Sequence, residues 1–179
     1  MPQVTIGKLA GLARGGGNEP LMALDMRFAA IGSSGQAQPG TLQGICHGGG
    51  GTQYTTNLIG RTRALELILG GELVGAELAE RYALVSRALP ANELDGFVSA
   101  LARRIAALGS VIIDVVKTAV NAADTAVYDM AAESALAARF SFPDVTAFAR
   151  RPLDAGVQTR EGELRLEELL RGPQPGAGA

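Results

Sequence analysis

The sequence predicts an α/β core over residues 1–90, a helical region over 91–171 and an unstructured tail over 172–179. Three observations carry that reading. Short runs holding β-branched residues, QVTIGKL at 3–9 and MRFAAIG at 26–32, read as strands. Between them Gly15, Gly16 and Gly17 open onto an apolar stretch that reads as a short helix. After Pro90 only helical periodicity remains.

Each element follows from local chemistry. Asn18 is the expected N-cap of the helix in EPLMALDM, with Pro20 in the first turn, where its missing N–H costs nothing. SSGQAQPGTLQG reads as loop. Thr52 starts a helix after the second glycine run, Gly60 ends it, and a further helix from Arg61 to Leu69 shows Ala64, Leu65, Ile68 and Leu69 on one face. GAELAERYALVSRALP reads as helix and then a strand ending at Pro90. Asn92 caps a helix whose Leu94, Phe97, Val98, Leu101, Ile105 and Leu108 form one stripe. VIIDVVKTAV is apolar nearly all round, so it is expected to be buried or at a subunit interface. Helices near 124–140 and 144–151 follow, each preceded by an Asp able to cap it, and TREGELRLEELLR reads as a charged end helix.

Composition excludes several function classes. The net charge is −2 and no basic run occurs, which argues against nucleic acid and anionic membranes as partners. A single Cys and a single His leave no zinc-ligand spacing and no internal disulfide. No metal and no separate cofactor are expected, and a reducing, cytoplasmic setting fits best. No apolar stretch approaches the length of a membrane span.

Neither glycine run is a phosphate loop of a common kind: GGGGTQ lacks the Walker lysine, and GGGNE is not G-x-G-x-x-G. Yet a strand, a glycine turn and a helix start together present free N–H groups and a positive dipole end. Such a turn can hold an anion or a developing oxyanion. Glu19 beside it is either a group for proton chemistry or a first-turn carboxylate stabilising the helix dipole.

AGLARGGGNEPLMALDMRFAA, QPGTLQGICHGGGGTQ and GRTRALELILGGELVGAELAERYALVSRALP occur in this order. Together they resemble the signature segments of the enoyl-CoA hydratase/isomerase (crotonase) superfamily, over about residues 3–120. The resemblance implies a spiral ββα core, here without roughly the first third of the usual domain, and an acyl-CoA thioester as substrate, coenzyme A being part of it. It implies that the Gly16 N–H, flanked by Gly15 and Gly17, is one donor of an oxyanion hole, the other coming from a loop well upstream. Glu19 matches the first catalytic carboxylate. Gly40, after Pro39, stands where the family places its second, on which many family isomerases rely. His47 replaces the family's usual proline, and Gly48 matches a glycine lining the acyl site. His47 is therefore either a replacement base or a tolerated polar loop residue. Cys46 reads as a small buried residue, Asp25 as structural, and Arg103 with Arg104 as a solvated face. The family likeness also implies a homo-oligomer, a trimer or a pair of trimers. Two further expectations stand beside a hydratase or isomerase: a truncated, catalytically impaired paralogue serving as an oligomeric or interaction module, and a longer protein with an upstream start.

Overall fold

The structure, a computed structural model, describes residues 3–124, 128–139, 153, 154 and 156–170. It is built on a repeated step of two short strands and a helix. Strand β1 (Ile6–Leu9) is followed at once by β2 (Leu12–Arg14) and helix α1 (Asn18–Met22). Strand β3 (Met26–Ile31) is followed by β4 (Gly35–Ala37) and helix α2 (Gly51–Gly70). The second step lies beside the first, so β1 pairs with β3 and β2 with β4, both parallel. One sheet is completed by β6 (Arg87–Pro90), parallel to β3. The other is completed by β5 (Val74–Gly75), antiparallel to β4, with helix α3 (Ala76–Arg81) leading on.

Strand β3 is the centre of the molecule, and its alternation divides the core. Ala29 faces a cluster with Met22, Ile59, Leu67, Ile68 and Leu84. Phe28 and Ala30 face the opposite way, onto Leu94, Phe97, Val98 and Leu101 of helix α4 (Ala91–Ala106). The Phe28 and Phe97 rings meet edge to face with centroids 5.2 Å apart. Arg27, also buried, donates to the carbonyls of Met22, Leu24 and Leu84, which fixes the end of α1 against β3.

Several expectations change here. The strand at 3–9 is β1 alone, and β2 after Gly11 is an addition. The loop at 33–44 contains β4 and a 3-10 turn over Pro39–Gln43. Strand β4 carries Gln36, a polar residue that hides its buried character; its side-chain amide donates to the Asn18 carbonyl oxygen at 2.8 Å. Asn18 is consequently not the N-cap of α1: Gly17 holds that position, and the Asn18 side chain turns into the core. Likewise α4 starts at Ala91, with Pro90 rather than Asn92 before its first turn. The break at Gly60 is present, with φ 78° and ψ 161° inside α2. The face it sets beyond the break is Ala64, Leu67 and Ile68; Leu65 and Leu69 point outward.

Helix α5 (Ser110–Ala123) holds no buried residue, contrary to the buried alternative, and Leu108 at the end of the α4 stripe is exposed. Lys117 ties α5 to the core through Asp25 at 2.7 Å and the Gln3 carbonyl at 2.8 Å. Helix α6 (Met130–Arg139) starts after Asp129, whose carboxylate accepts from the Ala132 N–H, rather than near 124. The end helix is two: α7 (Arg160–Leu164), capped by the Thr159 hydroxyl, and α8 (Leu166–Leu170). The helix expected at 144–151 and the tail at 172–179 lie outside the described residues. No single helix among the described residues is long and apolar enough to cross a membrane.

Candidate active site

A cavity of about 380 Å³ opens between the first glycine turn, the loop from Pro39 to Gly48, and the end helices. Of the residues singled out in the sequence, Gly15, Gly16, Glu19, Pro39, Gly40, His47 and Gly48 line it. Gly17 does not; it serves as the N-cap of α1. Gly15 has φ +47°, in the left-handed region that suits glycine. A Cβ at Gly16 would meet nothing within 4 Å, so the wall there faces open space and not packed protein.

Glu19 sits in the first turn of α1 and reaches across to the second glycine run. It accepts from the Gly51 N–H at 3.1 Å and, more weakly, from the Gly49 N–H at 3.3 Å. That approach explains two glycines directly. A Cβ at Gly49 would lie 2.3 Å from Glu19 Oε2, and one at Gly51 would lie 2.7 Å from Oε1. Glu19 thus ties the start of α1, beside the first glycine run, to the second glycine run.

His47 is 6% exposed, and neither ring nitrogen has a hydrogen-bond partner. A Cβ at Gly40 would stand 3.1 Å from His47 Nε2. The imidazole therefore occupies the room into which a side chain at position 40 would grow. Burial holds the His47 pKa below its ordinary value, opposed by the charges of Glu19 and Glu133 and by the nearby Gln38 backbone. The neutral ring this favours is a proton acceptor.

Sequence reasoning missed three acidic groups. Glu133, on α6, is 4% exposed and accepts from the Gly50 N–H at 2.6 Å, from the Thr52 N–H at 2.9 Å and from the Thr52 hydroxyl. Its only sequence signal is a lone acid in the alanine-rich AAESALAA. Glu163 and Glu167 come from the end helices. Arg14, next to the first glycine run, donates to both Glu167 oxygens at 2.7 and 2.9 Å and lies 3.8 Å from Glu163. This fork brings α7 and α8 onto the cavity, where Glu163 and Leu166 form part of the wall. Cys46 lines the same cavity and is only partly buried, not a core residue. Asp25 accepts from the Thr5 N–H and hydroxyl and from Lys117, a structural knot as expected. Arg103 and Arg104 lie exposed in the last turn of α4. No cluster of three metal-ligating side chains occurs among the described residues.

Known proteins share this arrangement of segments. The pattern of the enoyl-CoA hydratase/isomerase family matches residues 1–146. The chain belongs to the enoyl-CoA hydratase/isomerase family. It is 40% identical over 119 residues to a probable enoyl-CoA hydratase of Mycobacterium bovis, covering 66% of this chain and 46% of that protein. It is 39% identical over 104 residues to the short-chain-enoyl-CoA hydratase of Clostridioides difficile, covering 58% and 66%. A crystal structure from Streptomyces avermitilis, described as an enoyl-CoA hydratase, superposes with a TM-score of 0.88 at 45% identity, over 95% of this chain and 62% of that one. The fold is accordingly that of the crotonase superfamily. The chain spans less than half the length of the Mycobacterium bovis relative.

Proposed function

We propose that the cavity takes the thioester end of an acyl-CoA and that Glu19 exchanges protons there, as in a hydratase or isomerase acting on a 2-enoyl thioester. The observation that supports this most is Glu19 on the cavity wall with Gly15 and Gly16, its carboxylate bound to the Gly49 and Gly51 N–H groups of the second glycine run. In the hydration direction Glu19 takes a proton from water as the oxygen bonds to the β-carbon. The double-bond electrons move onto the thioester oxygen, where the Gly16 N–H stabilises the charge. The α-carbon then takes a proton back, so one water has been added and nothing is left over. His47, neutral and unpartnered beside Gly40, takes the second acid/base place. A homo-oligomer completes the reading, with the apolar side of α5 as its contact.

The test is hydration of crotonyl-CoA by the purified chain. Glu19→Gln is expected to lower the rate by roughly 10²–10⁴, the range for a removed general acid/base, with folding unchanged. A rate unchanged by Glu19→Gln would contradict the assignment. A second reading, a non-catalytic binding or interaction module, is favoured by Gly40, which leaves the position of the family's second carboxylate without one. It predicts no hydration at any Glu19 state.

A further inference from the structure

The backbone N–H groups of Gly49 to Thr52 are divided in alternation between two carboxylates from distant parts of the chain. Those of Gly49 and Gly51 point to Glu19, and those of Gly50 and Thr52 point to Glu133. At the start of a helix such donors have no partner in the helix itself. Four donors crowded at one helix start would all suit one anion, and a mobile glycine turn would let them follow it. Here the second acceptor takes alternate donors to one side and leaves the remaining two turned to the other.

Glu133 does not hold this place by chance of a long side chain. The surrounding contacts dock α6 on the same turn. Gln53 exchanges hydrogen bonds with the backbone of Asp129, at 2.8 and 2.6 Å. The Ser134 hydroxyl donates to the Gly48 carbonyl at 3.2 Å, and the Tyr54 and Tyr128 rings meet at 4.9 Å. Gly50, between the two carboxylates, has φ +97°, a conformation open to glycine, which lets successive N–H groups turn to opposite sides.

We propose that Glu133 is a positioning residue for Glu19: by binding Gly50 and Thr52 it fixes the Gly49 and Gly51 N–H groups against the Glu19 carboxylate. Its consequence for catalysis rests on the function proposed above; the positioning itself does not. Glu133 touches no reacting atom in this scheme. It sets where the proton acceptor stands relative to the cavity.

The test reads Glu19's surroundings directly. Amide proton resonances of residues 49–52 are compared in the wild type, Glu19→Gln and Glu133→Gln. In Glu133→Gln the Gly49 and Gly51 resonances are expected to move toward their Glu19→Gln positions. The proposal is overturned if Gly50 and Thr52 shift while Gly49 and Gly51 keep their wild-type positions. Thr52→Val, which removes one of the three donors to Glu133, gives a smaller movement in the same direction and serves if Glu133→Gln does not fold. In crotonyl-CoA hydration, Glu133→Gln is expected to lower kcat by up to about 100-fold, the scale of an ångström-sized misplacement, with KM nearly unchanged. A rise in KM alone would contradict positioning. A wild type without hydration, together with the expected resonance shifts, removes the hydratase reading and leaves the positioning intact.

Discussion

Strand β3 and helix α5 are both apolar, and they meet opposite surroundings. The MRFAAI of β3 is covered on one side by α2 and α3 and on the other by α4. On α5, Val111, Val115, Val116 and Val120 remain exposed, Val111 by as much as 75%. Lys117 holds this helix to the core by polar bonds to Asp25 and to the Gln3 carbonyl. Strand β3 is thus covered on both sides, while a stripe of α5 stays exposed. This stripe is the contact proposed above for a second copy of the chain.

Substitutions can break that contrast or sharpen it. The largest effect on stability is expected in the β3 core: Leu94→Ala should cost about 2–5 kcal/mol in urea unfolding, from lost burial plus the cavity left. A loss below 1 kcal/mol would mean that the α4 face is looser than described. Next comes the fork at the cavity wall. Arg14→Lys keeps the charge and loses the two-pronged contact with Glu167, for an expected cost of roughly 1–2 kcal/mol and faster proteolysis of residues 156–170. Equal proteolysis of wild type and variant would separate the end helices from the fork.

His47 supplies a pH-dependent test whose sign is fixed. Its folded pKa lies below the ordinary 6.5, so between the two values the unfolded chain binds more protons. The stability that a neutral His47 confers is present above about pH 6.5 and is lost as pH falls toward the folded value. Wild type should therefore lose stability relative to His47→Gln as pH drops from 7 to 5. Parallel curves would show that the ring is not buried as described. The smallest effect belongs to α5. Val116→Lys is expected to change the unfolding free energy of the isolated chain by no more than about 0.5 kcal/mol. A loss of 2 kcal/mol or more, falling as the protein is diluted, would show that a second copy covers the stripe in solution.

The legible parts of the molecule were those written in short-range spacing. Gly15, Gly16 and Glu19 lie within one turn of each other, so their place on one cavity wall follows from sequence, as does the break at Gly60, where a lone glycine interrupts a helical pattern. Strand β4 was hidden because Gln36 is buried through a hydrogen bond and not through hydrophobicity. Asn18 looked like a cap for the same reason a polar residue before a helix often is one, yet Gln36 and Met22 draw its side chain inward. Glu133 lies 81 residues from Thr52, and no local pattern announces a pairing over that distance. The position of His47 over Gly40 depends on how the loop folds back on itself. The wall contributed by α7 and α8 depends on Arg14, which gives no sign in sequence that its partner is at 167.

Calorimetric titration with a saturated acyl-CoA, which binds without reacting, tests the central claim that this cavity is a thioester site. Binding of about micromolar strength, near −8 kcal/mol, is expected from both the wild type and Glu19→Gln. Gly16→Val, whose added methyl groups enter the open space beside the turn, should abolish it. Absence of binding by the wild type, or binding unaffected by Gly16→Val, would mean that the thioester does not bind in this cavity.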